Sequence, residues 1–134
     1  MLDIARKALQ YASRQGVDQS EAFAMINSSL KVKVYRQEVE ELASSTGSGV
    51  GIRVFKGNSV GFAYTSDLSG DSLEQTAKAA ADNAAVAVSD EFLGLPEPAS
   101  DFPELELYSG NLATYPIAEK IELAKSVERA SLGR

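Results

Sequence analysis

The side chains able to do chemistry in this 134-residue chain are carboxylates and hydroxyls, because it contains no histidine and no cysteine. Catalytic zinc sites almost always include a histidine ligand, so none can be built here from the usual donors. A serine or cysteine nucleophile activated by histidine is excluded on the same ground. Glu38, Glu40 and Glu41 form the densest acidic group. They could hold a cation or a basic peptide, but at the end of a hairpin they read as a solvated face. Asp67 and Asp71 flank a strand-to-helix turn, where turn and capping duties account for both. Tyr11, Tyr35, Tyr64, Tyr108 and Tyr115 are dispersed and read as packing anchors. No residue is assigned a catalytic or metal-binding role.

The stretch "GSGVGIRVFKGNSVGFAYTSDL", residues 47–68, holds half of the chain's 10 glycines and raises the question of a phosphate cradle. A dinucleotide fingerprint needs G-x-G-x-x-G between a strand and a helix. Starting at Gly47 the third glycine would fall at Ile52, and starting at Gly49 it would fall at Val54. The residues after Gly51 are β-branched and aromatic, which favours a strand. Gly57-Asn58 is a recognised two-residue turn pair between apolar runs. With a two- or four-residue loop, Val54 and Ile52 share a face with Gly61 and Ala63. With a three-residue loop, they pair with Phe62 and Tyr64 instead, and a one-residue slip exchanges the faces. The glycines shape a sheet. Gly47, Gly49 and Gly51 are candidates for close approach of a peptide or partner backbone.

A single domain of 134 residues, or a piece of a longer protein, suits this length. The formal charge of −6 disfavours a phosphate backbone as partner, and Lys31, Lys33 and Arg36 are followed at once by the glutamates at 38, 40 and 41. Nucleic acid is therefore not expected as a direct partner. The N-terminus lacks the apolar core of a signal peptide, and no run approaches the roughly 20 apolar residues that span a membrane. A cytoplasmic location is expected.

Leu2, Ala5, Ala8, Leu9 and Ala12 recur at helical spacing, giving a helix over about residues 2–15 with Gly16 as its stop. The period then changes to two. "EAFAMINSSL", "KVKVYR", "VEELAS", "GVGIRVF" and "VGFAYT" read as four or five strands, and their short connections make them antiparallel. An alanine-rich helix follows, with Leu73, Ala77, Ala80, Ala84 and Val88 as its apolar stripe. Asp71 and Glu74 resemble a capping box, with Ser69 as the alternative cap. Residues 92–116 contain all four prolines and read as a surface loop with "ELELY" as a short strand. Pro116 opens a last helix whose apolar face is Ile117, Ile121, Ala124 and Val127, with Glu122 and Lys125 paired three apart. The expected fold is α+β: an antiparallel sheet of four to five strands, preceded by one helix and packed with two later helices.

The succession "GVGIRVFKGNSVGFAYTSDLS" followed by an alanine-rich helix resembles the N-terminal domain of the TldD/PmbA family. The likeness extends upstream through "QSEAFAMINSSLKVKVYRQEVEELASS" and downstream to "PIAEKIELAKSVERA", and it looks more like the PmbA (TldE) half than the TldD half. One departure is the turn at Arg36-Gln37-Glu38, where relatives often have a glycine. The resemblance implies a zinc-dependent peptidase family, once named as modulators of DNA gyrase. In it, TldD-like members carry a His-Glu-x-x-x-His helix beyond this domain and PmbA-like members generally lack it. It further implies a peptide substrate, a TldD/PmbA-type partner subunit in a homo- or heterodimer, and zinc in the full assembly but no cofactor in this fragment. Residues 1–134 are then expected to be a non-catalytic N-terminal domain of a longer subunit, truncated after the last helix. Such a domain would help enclose substrate or assemble the dimer. A freestanding α+β interaction module without enzymatic activity is the alternative. Direct regulation of gyrase or DNA has only the family's old name behind it, and the charge argues against it.

Overall fold

Helix α1 (Leu2–Ser13) forms where small and apolar residues recur every three to four positions, and the chain turns out of it as Gly16 enters the left-handed region at φ 65°. The computed structural model describes residues 1–97, 101, 103–107 and 109–133, with Leu112 described in its backbone alone. The chain then runs through β1 (Gln19–Tyr35), β2 (Glu38–Lys56) and β3 (Ser59–Thr65), hydrogen-bonded in the order β1-β2-β3. Helix α2 (Gly70–Val86), the five-residue α3 (Gly110–Thr114) and α4 (Ile117–Ser131) follow. The α+β class stands.

The sheet has three strands among the described residues, where four to five were expected. "EAFAMINSSL" and "KVKVYR" are one continuous strand, and so are "VEELAS" and "GVGIRVF". Serines, threonine and glycines at 28–29 and 44–49 imitate connections because they favour turns as isolated residues. A ladder of backbone hydrogen bonds does not need their side chains, and it runs through them. The Ser29 and Ser45 hydroxyls meet at 2.8 Å across the hairpin.

The second hairpin settles the register left open by the sequence. Lys56 pairs with Ser59, Val54 with Gly61 and Ile52 with Ala63, so Gly57-Asn58 is a two-residue loop with Gly57 at φ 56°. Ser69 caps α2, its hydroxyl accepting from the Ser72 N–H at 3.4 Å, while Asp71 lies inside the first turn. Residues 103–107 form no strand, and Tyr108, the end of the expected "ELELY" strand, lies outside the described residues.

The chain divides into two compact units. The first joins Met1–Asn27 to Thr46–Pro98. Its core lies between the sheet and α1 with α2: Val50, Ile52 and Val54 meet Ala8, Ala12, Leu73, Ala77, Ala80 and Ala84. Ile52, Leu73, Val50 and Val54 are fully buried, each contributing about 1.5–3 kcal/mol of transfer free energy. The alanine stripe of α2 is small because Gly61 lies beneath it. A Cβ on Gly61 would collide with the Ala80 carbonyl oxygen and the Ala84 nitrogen, so helix and strand touch backbone to backbone. Val88, expected on the stripe, lies past the helix end and is exposed.

The second unit joins Ser28–Ser45 to Ala99–Arg134. It holds the outer half of the β1–β2 hairpin and α4. Among its described residues none is fully buried, and Ile121 and Ala124 of the expected apolar face are half-buried while Ile117 and Val127 are exposed. The Glu122–Lys125 pair forms at 3.0 Å. Lys31–Glu41 and Lys33–Glu40 pair across the hairpin at 2.7 and 2.8 Å, all four side chains being substantially exposed. Such pairs contribute little to stability.

Candidate functional site

Strand alternation decides which side chains of the first unit face water. Val50, Ile52, Val54, Gly61 and Ala63 point at the helices. Glu21, Phe23 and Met25 of β1, Arg53 of β2, and Phe62 and Tyr64 of β3 occupy the opposite face, where all six are exposed. Phe55, on the same face beside Arg53, is buried, and Leu95 donates its N–H to the Gln19 side chain. The aromatic rings of Phe62 and Tyr64 stack with centroids 6.4 Å apart. Arg53 lies 5.5 Å over the ring of Phe55 and pairs with Glu21 at 2.5 Å. A shallow depression on this face is lined by Glu21, Phe23, Gly51, Arg53 and Phe62.

The three glycines singled out by the sequence sit differently. A Cβ on Gly51 would meet the ring of Phe62 at 3.0 and 3.1 Å, so the ring covers the strand where a side chain is missing. A Cβ on Gly49 would meet the Thr65 carbonyl oxygen at 3.2 Å, and one on Gly47 would meet nothing within 4 Å. Alternation puts all three on the same face as Arg53. Phe23, Met25, Phe62, Arg53 and Glu21 carry no site expectation from the sequence, and Tyr64, read there as a packing anchor, is instead exposed on this face. The signal existed in the alternation of "EAFAM" and "GFAYT", but only the hairpin register converts it into a face. Tyr11 packs against the core as expected of an anchor, whereas Tyr35, Tyr64 and Tyr115 are exposed and Tyr108 lies outside the described residues.

Carboxylates elsewhere carry local structural duties. Asp67 accepts from the Ser72 hydroxyl at 2.6 Å, the Ser69 N–H at 2.9 Å and the Ser69 hydroxyl at 3.0 Å, and these bonds hold its carboxyl below the ordinary range. In the second unit, Arg36 and Gln37 both adopt left-handed φ, 52° and 66°, at the tip of the long hairpin. Glu128 of α4 accepts from their two N–H groups, and the Gln37 Nε2 amide adds a third bond at 2.6 Å. The Gln37 N–H is the largest of the effects that hold the Glu128 carboxyl below its usual range, against the cost of desolvation. Among the described residues no three of His, Cys, Asp or Glu converge, so the donor set does not fit zinc. No described helix is long and apolar enough to cross a membrane.

Residues 20–84 match the family model described as PmbA/TldA metallopeptidase domain 1. The chain is 32% identical over 128 residues to a protein from Haemophilus influenzae named metalloprotease PmbA homolog, a match that covers 93% of this chain. It is similar in fold to a Bacteroides thetaiotaomicron protein named as a modulator of DNA gyrase, with a TM-score of 0.81 at 24% identity over 93% of this chain. It is also similar to TldE from Thermococcus kodakarensis, with a TM-score of 0.68 at 19% identity over 98% of this chain. The chain spans 28% of the length of the PmbA homolog and 29% of each of these two structures. With the family model, the curated relative and the shared fold in agreement, the chain belongs to the TldD/PmbA family.

Proposed function

We propose that this chain is the non-catalytic N-terminal domain of a longer TldD/PmbA-type peptidase subunit, closer to PmbA than to TldD. It contributes to enclosing a peptide substrate or to assembling subunits, and zinc-dependent hydrolysis takes place on residues outside it. The observation that carries this reading is the sheet face of the first unit on which Phe23, Met25, Phe62 and Tyr64 are exposed around the central glycines. An antiparallel sheet of this kind can receive an extended segment or another subunit. The absence of histidine and cysteine supports the non-catalytic part, and the name PmbA on the curated relative supports the choice of half.

Two assays test it. The chain alone, with added zinc, is expected not to cleave an unfolded protein such as casein; cleavage abolished by a chelator would overturn the non-catalytic assignment. The chain mixed with the TldD-type subunit of the same organism is expected to co-migrate with it in size-exclusion chromatography. Failure to bind either that subunit or unfolded peptide would favour a freestanding module with another role.

A further inference from the structure

We propose that Gln37 and Glu128 form a latch that holds α4 on the long hairpin, so that opening it frees the helix and leaves the hairpin standing. The inference concerns the second unit and is independent of the function proposed above.

The hairpin tip and α4 are joined by polar bonds centred on these two residues. Glu128 accepts the N–H groups of Arg36 and Gln37 and the Gln37 side-chain amide. That amide also donates to the Lys125 carbonyl, and the Gln37 Oε1 accepts from Arg129. Bonds to an ionised acceptor are roughly twice as strong as neutral ones. The apolar contact beside them is incomplete. A shallow, open depression between strand and helix is lined by Val32, Val34, Leu123, Ala124 and Val127. Leu123 and Val127 are 61% and 62% exposed, and no described residue of the unit is fully buried. The burial that seats α2 in the first unit is thus largely missing under α4.

The two sides of the latch differ in what holds them without it. The hairpin keeps its ladder, its cross-strand pairs Lys31–Glu41 and Lys33–Glu40, and a tip whose two left-handed residues match a two-residue loop. Helix α4 has 15 residues and no side-chain bond at its N-cap, Pro116. A helix of about this length is marginal in water on its own. The hairpin therefore outlasts the latch and the helix does not. One carboxylate and one amide, in place of a core, decide whether this segment is ordered.

The test is native-state hydrogen exchange, read by NMR on the whole chain, for wild type, Glu128→Ala, Gln37→Gly and Glu122→Ala. Glycine at 37 keeps the left-handed turn and its N–H while removing the side-chain bonds. Glu122→Ala breaks the ion pair with Lys125 without touching the hairpin, and like Glu128→Ala it raises intrinsic helix propensity. Protection of the α4 amides should fall at least about tenfold in Glu128→Ala and at least about threefold in Gln37→Gly, a change on the other element. It should stay within about twofold in Glu122→Ala, and residues 31–35 and 50–54 should keep their protection in all three variants. Wild-type α4 amides without protection overturn the proposal. So does α4 protection unchanged in either latch variant, or hairpin and helix losing protection together.

Discussion

The carboxylate of Glu128 straddles the hairpin tip, accepting the N–H of Arg36 at 2.8 Å and that of Gln37 at 2.7 Å. Two successive left-handed residues aim their N–H groups in the same direction, and a carboxylate on α4 fills the concavity they make. Gln37 is fixed further, its Nε2 donating to the Lys125 carbonyl at 3.1 Å and its Oε1 accepting from Arg129 at 2.6 Å.

This clamp makes the second unit acid-sensitive. The Glu128 carboxyl titrates below its ordinary value of 4.5 in the folded chain, chiefly through the Gln37 N–H. Its stabilising contribution is therefore complete above that ordinary value and is lost as pH falls through the lower, folded one. Amide resonances of Arg36 and Gln37 should move together in that acidic window, while those of the first unit's core hold. Glu128→Gln should abolish the movement; a titration unchanged in that variant would assign it to another carboxylate.

The tip is also strained, since a non-glycine residue in the left-handed region costs roughly 1–2 kcal/mol. Arg36→Asn keeps the N–H that Glu128 accepts and places a residue tolerant of this conformation at φ 52°. It should strengthen the hairpin tip by up to about 1 kcal/mol, read as slower hydrogen exchange at Gln37. The sequence pointed to this turn through its departure from the relatives' glycine. It did not point to Glu128, because a contact across 91 residues leaves no periodic trace.

Gly61 and Gly47 should respond oppositely to the same change. Gly61→Ala forces α2 away from β3 and should cost about 3 kcal/mol, the upper part of the range for overpacking. Gly47→Ala, with nothing within 4 Å of the new methyl, should stay within about 0.5 kcal/mol of wild type. Urea midpoints of the two variants compare them directly.

Ser69→Ala should destabilise the first unit by about 1 kcal/mol as α2 loses its cap, whereas Asp71→Ala should change stability by only a few tenths, about the value of one charge near a helix N-terminus. Thermal melts of both decide between Ser69 and the capping box that Asp71 and Glu74 suggest.

Local pattern carried much of the fold. The stripe Leu73, Ala77, Ala80 and Ala84 is buried as its spacing requires, and Gly57-Asn58 turns where the apolar runs on either side demand it. What local pattern could not carry was continuity. Ser28-Ser29 and the run before Val50 have turn chemistry, yet the partner strand's ladder holds them extended, so five readable segments became three strands. The same limit hid the exposed sheet face. Glu21 and Arg53, or Phe23 and Phe62, become neighbours only through cross-strand register, which depends on a loop length the sequence left at two, three or four residues.

The Gln37–Glu128 clamp finally has a bearing on the order of events as the chain is made. Closing a contact across 91 residues is entropically costly, and no fully buried described residue of the second unit helps to draw its ends together. At a synthesis rate of roughly 5–20 residues per second, the hairpin tip waits on the order of ten seconds for its counter-anion to leave the ribosome. The first unit has its helices and strands available well before then. The clamp is thus expected to form late, and Glu128→Gln should speed unfolding more than it slows folding, which chevron kinetics of the variant would read.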